Sequence, residues 1–197
     1  MSRVVVACLG DSITAGSPLW DPDPARRGPD EDERSQWGWW AAQRAPGLEL
    51  RNHGVYGERT DEIAARLDEA ARGADLLVVQ GGINDLVQGR PAEEAARNLA
   101  AMLERGRRLG LAVALADVLP WNNGDGRSAA EIARLNSLIH ALEAPLLPFH
   151  DTLVDPERPE RMREVCTDDG SHPSIEGHRL LGEAAAPVLS EACPPSP

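Results

Sequence analysis

The chain has 197 residues, of which 42% are hydrophobic and 26% charged, an ordinary composition for one globular domain. Its formal net charge of −12 argues against a nucleic acid or an anionic membrane surface as the partner. No apolar run approaches the roughly 20 residues that a membrane span requires. The three cysteines have neither metal-ligand spacing nor a disulfide pattern, and the first residues do not resemble an export signal. We therefore expect a reducing, cytoplasmic location.

Apolar runs of strand length recur along the chain. The first, third and fourth of them are continuously apolar rather than alternating, which is typical of strands buried on both faces of a parallel sheet. The fifth is short and flanked by prolines. The five predicted strands are Arg3–Leu9, Leu48–Asn52, Asp75–Gln80, Leu111–Asp117 and Pro145–Pro148.

Helical patterns, with apolar residues three and four apart, follow or separate these strands. The five predicted helices are Trp37–Arg44, Glu58–Arg72, Pro91–Leu109, Ser128–Leu142 and Ser174–Ser190. Pro91 is expected in a first turn, Gly110 at a helix end, and Ser128 with Glu131 in a capping box. The alternation of strands and helices predicts a single α/β domain over residues 1–197. We expect a three-layer α/β/α fold of flavodoxin type, around a doubly wound parallel sheet of about five strands.

One segment, residues 17–35, interrupts this pattern. It is acidic and rich in proline, with Leu19 and Trp20 as its only large apolar residues. Loops of this length are usually functional, so we expect a partly ordered rim or lid over the site, although a tolerated surface insertion is the alternative. The tail at residues 194–197 is expected to fray.

Small, polar and titratable residues collect where the predicted strands end. In a doubly wound sheet, ligands bind beyond the carboxyl ends of the strands. These residues supply a hydroxyl nucleophile, an imidazole base, a carboxylate to orient the base, and donors for an oxyanion, which together are what acyl transfer needs. The segments are Gly10–Gly16, Asn52–Thr60, Gly81–Asp85, Leu119–Asn123 and Asp168–Pro173.

Four of these segments resemble, in order, the signature blocks of the GDSL-type esterase/lipase family, also called SGNH hydrolases. The first is Gly-Asp-Ser-Ile, with Ile13 in place of the usual leucine, and the second is Asn-His-Gly followed by Gly57 and Thr60. The third block is Gly-Ile-Asn-Asp and the last is Asp-Gly-Ser-His-Pro. The similarity extends from Gly10 to Pro173.

This resemblance implies a role for each matching residue. Ser12 would be the nucleophile, and its backbone N–H would be one oxyanion donor. Gly54 would supply a second backbone donor, and the side chain of Asn84 a third. His172 would be the general base and Asp169 the acid that orients it.

Other polar and aromatic residues near these blocks receive weaker assignments. Asp168 competes with Asp169 as the orienting acid. Trp121 and Asn122 follow the fourth predicted strand at the same edge of the sheet, and Tyr56 comes two residues after Gly54, so these three residues are predicted to bind substrate. The remaining side chains are expected to be structural or at the surface: Asp11, Asp85, His53, His140, His150, His178 and the tryptophans of Trp37–Trp40.

The resemblance implies an enzyme that hydrolyses carboxylic esters through an acyl-enzyme intermediate. We expect short-chain acyl or acetyl esters, with thioesterase, lysophospholipase, carbohydrate deacetylase or acyltransferase activity on the same residues as alternatives. A flavodoxin-like module that binds phosphate or flavin at Gly10–Gly16 is the alternative from another class, but it leaves His172 and Asp169 unused. The partner is expected to be a small ester, without a metal or other cofactor. The oligomeric state is not predicted.

Overall fold

Five parallel strands form the centre of the structure, a computed structural model that describes residues 3–193. The predicted tail at 194–197 lies outside the described residues. The strand order is β2-β1-β3-β4-β5, the order of flavodoxin-like sheets. This confirms the predicted fold. The strands are β1 (Val4–Gly10), β2 (Leu48–Gly54), β3 (Leu76–Val79), β4 (Ala112–Ala116) and β5 (Leu146–Leu147).

Nine helices, counted within residues 3–193, surround the sheet and the strand ends. They are α1 (Ser12–Ala15), α2 (Trp37–Arg44), α3 (Thr60–Ala65), α4 (Leu67–Ala70), α5 (Ile83–Val87), α6 (Ala92–Arg108), α7 (Gly126–His140), α8 (Phe149–Leu153) and α9 (Ile175–Ala192). Helices α2, α8 and α9 cover one face of the sheet, and α3, α4, α6 and α7 cover the other. Helices α1 and α5 follow β1 and β3 directly.

The central strands are buried on both faces, as their continuous apolar runs predict. Successive residues of a strand point to opposite faces, so Val6 and Cys8 of β1 enter one hydrophobic core, while Ala7 and Leu9 enter the other. All four are at most 3% exposed. The two hydrophobic cores hold the sheet in place between the helix layers. Several of the candidate site residues follow the carboxyl ends of β1, β2 and β3.

Several predicted helix boundaries are wrong in ways that have a local cause. The helix predicted over Glu58–Arg72 is interrupted, because the N–H of Arg66 bonds to the Ile63 carbonyl, three residues back instead of four. Helix α7 begins at Gly126, where Asp125 accepts a hydrogen bond from the N–H of Ser128, so the predicted capping box does not form. Pro91 lies one residue before α6 as its N-cap.

Three short helices, α1, α5 and α8, and a hairpin were not predicted. Helix α8 is followed by the antiparallel strands β6 (Val154–Asp155) and β7 (Arg158–Met162). The first three residues of β7 are exposed, so the segment lacks the apolar pattern by which a strand is recognised. Within residues 3–193, every helix is too short or too polar to cross a membrane.

The acidic loop of residues 17–35 folds back on itself. Its two 3₁₀ turns are Pro24–Arg26 and Glu33–Ser35. The guanidinium of Arg27 lies 3.8 Å from the centre of the Trp20 ring, so this tryptophan contacts the loop itself. The Nε1–H of Trp40 donates to the Arg34 carbonyl and anchors the loop on α2. A role as a lid therefore stays a prediction.

Candidate active site

The nucleophile predicted from the sequence lies at the turn between β1 and α1. Asp11 caps α1, since its Oδ1 accepts a hydrogen bond of 2.9 Å from the N–H of Ile13. Ser12, the first residue of α1, is 5% exposed. Its backbone N–H has no acceptor among residues 3–193. A side chain at Gly10 would collide with the Gln80 carbonyl, 2.8 Å from the added Cβ, so only glycine fits this turn.

The structure brings His172 and Asp169 to Ser12. The His172 Nε2 lies 3.2 Å from the Ser12 Oγ, and its Nδ1 lies 2.7 Å from Asp169 Oδ2. The other carboxylate oxygen of Asp169 accepts hydrogen bonds from the backbone N–H groups of Ser171 (2.8 Å) and His172 (2.7 Å). One carboxylate therefore holds both the ring and the backbone of the same histidine.

The charge of Asp169 is favoured by these contacts. Its partial burial alone would raise the pKa of the carboxyl. Hydrogen bonds from the His172 ring and from two backbone N–H groups outweigh that effect and hold the pKa of Asp169 below its usual value. The carboxylate is thus ionised at neutral pH, and Nδ1 of the ring carries a proton toward it. Asp168 is exposed and makes no side-chain hydrogen bond within the described part of the chain.

Neighbouring side chains hold the loop that carries Asp169 and His172. The amide of Asn123 donates to the Asp169 carbonyl and to the Ser171 Oγ, each at 2.8 Å. The Trp121 Nε1–H donates to the same hydroxyl at 2.9 Å. Sequence reasoning did not single out Asn123, whose side chain here fastens the loop after β4 to the loop before α9.

Gly54 does not have the geometry of the predicted oxyanion donor. Its N–H already donates to Asn52 Oδ1 at 2.9 Å. A Cβ at this position would lie 2.1 Å from the backbone nitrogen of Ala15, so Gly54 is glycine because α1 packs directly on it. Gly57, three residues on, has a φ of +78°, and its N–H has no acceptor among residues 3–193.

Asn84 lies beside this second glycine. Its amide Nδ2 donates to the carbonyl of Glu58 at 2.9 Å, which uses one of its two N–H groups and leaves the other available. Asp85, predicted to be structural, accepts hydrogen bonds from the N–H (2.9 Å) and hydroxyl (2.7 Å) of Thr60. These contacts fasten the loop after β3 to the loop after β2.

The three residues predicted to bind substrate are placed differently from one another. Tyr56 is 62% exposed, and its ring centre is 5.9 Å from that of His172. Trp121 lines two neighbouring cavities, described below. Asn122 does not match the prediction, because its amide is engaged with the backbone of Met162, accepting at 2.6 Å and donating at 3.1 Å. Asn122 instead ties β7 to the loop after β4.

Two cavities are lined in part by α5 and by the loop after β4. The smaller, of about 10 Å³, includes in its wall Ile13 and Ser171, the chain neighbours of Ser12 and His172. The larger, of about 530 Å³, lies between α5 and the first turns of α6 and α7. Ile83 and Trp121 line both cavities and connect them. No residue of the acidic loop lines either one.

Asp11 is the carboxyl with the least favourable surroundings near the site. It is fully buried, and its Oδ2 has no partner within residues 3–193. Burial raises the pKa of Asp11 to about 6, against the opposing effects of the Ile13 N–H, Gln80 and the charge of His172. A carboxyl with a folded-state pKa above its unfolded value stabilises the fold only while it is protonated.

We expect Asp11→Asn to remove this pH dependence. The stability that protonated Asp11 contributes is fully present below its unfolded pKa of 3.8 and is lost as the pH rises through about 6. The free energy of unfolding of the variant, relative to that of the wild type, should therefore increase by up to about 3 kcal/mol between acid and alkaline pH. Denaturant titrations at several pH values measure this difference. A constant difference would show that Asp11 titrates normally.

Metal binding has no obvious place near these residues. Within residues 3–193 no three histidine, cysteine or carboxylate side chains are grouped so that they could hold a metal ion. The absence of a metal and of other cofactors stays a prediction.

His178, on α9, is fully buried, and its burial lowers its pKa to about 3.

Known structures share this architecture. A member of the lipolytic protein G-D-S-L family from Veillonella parvula is 18% identical, covers 95% of this chain and 99% of its own, and has a TM-score of 0.78. A GDSL-like lipase from Bacteroides thetaiotaomicron has 20% identity, coverages of 96% and 89%, and a TM-score of 0.71. An acetyl-xylooligosaccharide esterase variant from Geobacillus has 16% identity, coverages of 95% and 94%, and a TM-score of 0.71. These similarities establish the fold.

A comparison with curated proteins finds no significant match. The sequence does match a family model, that of the GDSL-like lipase/acylhydrolase family, over residues 8–180. This span includes the strand-end residues described above. The chain therefore belongs to the GDSL-like lipase/acylhydrolase family.

Proposed function

We propose that this acylhydrolase cleaves carboxylic esters of short acyl groups through an acyl-enzyme intermediate on Ser12. The observation that carries the proposal is the alignment of three side chains. The His172 ring lies 3.2 Å from the Ser12 hydroxyl on one side and 2.7 Å from Asp169 on the other. These distances are within the reach of hydrogen bonds, as a nucleophile, a base and an orienting acid require.

In this mechanism His172 accepts the proton of Ser12 as the Oγ attacks the ester carbonyl. Asp169, ionised at neutral pH, fixes the proton on Nδ1 and so leaves Nε2 free to act as the base. It also stabilises the imidazolium that forms. The protonated ring then donates its proton to the leaving alcohol. A water molecule, activated by the same Nε2, hydrolyses the acyl-enzyme and regenerates Ser12.

The negative charge on the carbonyl oxygen needs hydrogen-bond donors. We assign this role to the backbone N–H groups of Ser12 and Gly57 and to the free N–H of the Asn84 amide. Gly57 replaces Gly54 in the assignment, because the N–H of Gly54 is already bonded to Asn52. The hydrogen bond from Asn84 to Glu58, the residue after Gly57, supports a common location for these two donors.

The sizes of the two cavities support a small acyl group. The cavity of about 10 Å³, whose wall includes the chain neighbours of Ser12 and His172, is hardly large enough for one water molecule, so a long acyl chain would not enter it without displacing Ile83 or Trp121. The connected cleft of about 530 Å³ has room for a larger alcohol portion. The structural similarity to an acetyl-xylooligosaccharide esterase agrees with an acetyl ester, although it carries no more than the fold.

A series of p-nitrophenyl esters tests the proposed acyl preference. We expect kcat/KM to fall by about tenfold or more from acetate to butyrate and further to octanoate. Ile83→Ala, which removes part of the wall between the two cavities, should raise the butyrate-to-acetate ratio by about tenfold. Val87→Ala is the matched control. Val87 is on the same helix, is 52% exposed and lines only the larger cleft.

The same series distinguishes the alternatives. A highest kcat/KM for octanoate, or an unchanged ratio in Ile83→Ala, would contradict the small acyl pocket. Faster cleavage of an acyl thioester than of the matching oxygen ester would favour a thioesterase. Formation of a new ester when an acceptor alcohol is added would favour acyl transfer. Acetylated oligosaccharides, assayed beside the synthetic esters, test the size of the alcohol portion.

The cellular compartment is a separate part of the proposal. Cys8, Cys166 and Cys193 are free thiols, with the first two buried. Burial raises the pKa of the Cys166 thiol, which makes it a poor nucleophile. Free thiols suit a reducing compartment, and this supports the cytoplasmic location predicted from the sequence.

A further inference from the structure

Arg66 connects the ends of two central strands to the loop that carries Gly57. Its Nη1 donates to the carbonyl of His53 at 3.0 Å, and its Nη2 lies 3.3 Å from the carbonyl of Gly10. These residues belong to β2 and β1. The Nε–H lies 3.0 and 2.9 Å from the two carboxylate oxygens of Glu58. No other arginine in the described part of the chain donates to carbonyls of two strands.

The groups to which Arg66 is hydrogen-bonded lie close to every proposed oxyanion donor. Gly10 is two residues before Ser12, and Glu58 directly follows Gly57. The carbonyl of Glu58 is the acceptor of the Asn84 amide, at 2.9 Å. A shift of Glu58 would therefore move two donors, the Gly57 N–H and the Asn84 amide. A shift of Gly10 would move the third.

In the loop between β2 and α3, the backbone of Tyr56 and Gly57 itself makes few hydrogen bonds, although Glu58 and Arg59 are bonded to Asn84 and Gln88. Val55 donates to the Gly10 carbonyl at 3.0 Å, but the N–H groups of Tyr56 and Gly57 have no acceptor within residues 3–193. Tyr56 is also largely exposed. Oxyanion donors act only when they are fixed before the reaction, and a displacement of 1 Å can reduce a rate by about 10²-fold.

We propose that Arg66, held by Glu58, is a positioning residue for ester hydrolysis that fixes the three oxyanion donors. This inference rests on the proposed function. The side chains of Arg66 and Glu58 are 28% and 17% exposed, so water competes weakly for their hydrogen bonds. A planar guanidinium reaches a carboxylate and two carbonyls at once, whereas the single ammonium of lysine does not.

The test compares Arg66→Ala with Arg105→Ala. Arg105 donates to both carboxylate oxygens of Asp68, at 2.9 and 2.7 Å, in an ion pair between α6 and α4 that touches no proposed site residue. We expect Arg66→Ala to lower kcat for p-nitrophenyl acetate by about 10- to 100-fold with KM changed by less than about threefold. Arg105→Ala should change neither constant by more than about twofold.

Two further measurements separate positioning from a general loss of structure. Added guanidinium, compared with sodium chloride at the same low concentration, should restore part of the kcat of Arg66→Ala and none of that of Arg105→Ala. Arg66→Lys should recover only part of the rate. Glu58→Gln keeps the size of the side chain and one hydrogen-bond acceptor for Arg66, so it should lower kcat less than Arg66→Ala does. If Arg66→Ala does not fold, the kcat of Glu58→Gln tests the same inference.

The outcomes distinguish this inference from the proposed function. A wild-type protein without activity on any ester would contradict both. If the wild type is active and Ser12→Ala is not, while Arg66→Ala and Glu58→Gln match Arg105→Ala in kcat, only the role of Arg66 is wrong. A large increase in KM with unchanged kcat would likewise overturn positioning of the oxyanion donors, because that change reports substrate binding.

Discussion

Replacing Ser12 by alanine is expected to lower the kcat for ester hydrolysis by about 10⁶-fold, because the hydroxyl proposed to form the acyl-enzyme is lost. His172→Ala should have an effect of the same order, since the Ser12 hydroxyl then has no base within reach. A nucleophile and its base act as a unit, so the double variant should lose little more than either single variant. Turnover of p-nitrophenyl acetate measures all three.

His150→Ala is the control for these variants. The His150 ring contacts Asp151, at 3.4 Å, and is not part of the arrangement around Ser12. The kcat of His150→Ala for p-nitrophenyl acetate should stay within about twofold of the wild-type value. Circular dichroism checks that every variant is folded. If either Ser12→Ala or His172→Ala keeps near-wild-type turnover on each ester that the wild type cleaves, the assignment of the nucleophile and base is wrong.

Asp169→Asn should lower kcat by on the order of 10³–10⁴-fold, less than the loss in His172→Ala. Asparagine keeps an acceptor for the backbone N–H groups of Ser171 and His172, but it no longer stabilises a positive charge on the ring. Its amide can also favour the wrong tautomer of His172. Asp168→Asn is the matched control, because Asp168 is exposed and makes no side-chain hydrogen bond among residues 3–193. A larger loss in Asp168→Asn would identify that residue as the orienting acid.

The five-strand sheet and the long helices could be predicted from the sequence. Continuous apolar runs over β1, β3 and β4 carry the information that these strands are buried on both faces. The helices with a strong apolar stripe were placed to within a few residues. The hairpin of β6 and β7 could not be predicted, because its residues are polar and its pairing depends on contacts such as the one from Asn122 to Met162.

The candidate site was predictable for the residues that a motif specifies one by one. Ser12, Asn84, Asp169 and His172 each stand at a fixed place within a short block, and the structure brings Ser12, Asp169 and His172 together. The choice between two glycines was not predictable in this way. The sequence shows two glycines in this segment, Gly54 and Gly57, but it does not show that the N–H of Gly54 is bonded to Asn52.

The contacts of Arg66 could not be predicted from the sequence either. In the sequence it is one of many arginines in an amphipathic helical pattern, and it matches no residue of the four blocks. Its significance depends on three carbonyl and carboxylate groups from different parts of the chain, which only the fold brings together. Contacts of this kind leave no local pattern in the sequence.

Covalent labelling by a fluorophosphonate, followed by mass spectrometry of the intact protein and its peptides, shows whether Ser12 is an activated nucleophile. The reagent reacts with an activated serine and leaves ordinary serines unchanged. We expect one added group per chain, located on Ser12, with no labelling of Ser12→Ala and strongly reduced labelling of His172→Ala. Labelling of another residue, or equal labelling of wild type and Ser12→Ala, would contradict this assignment.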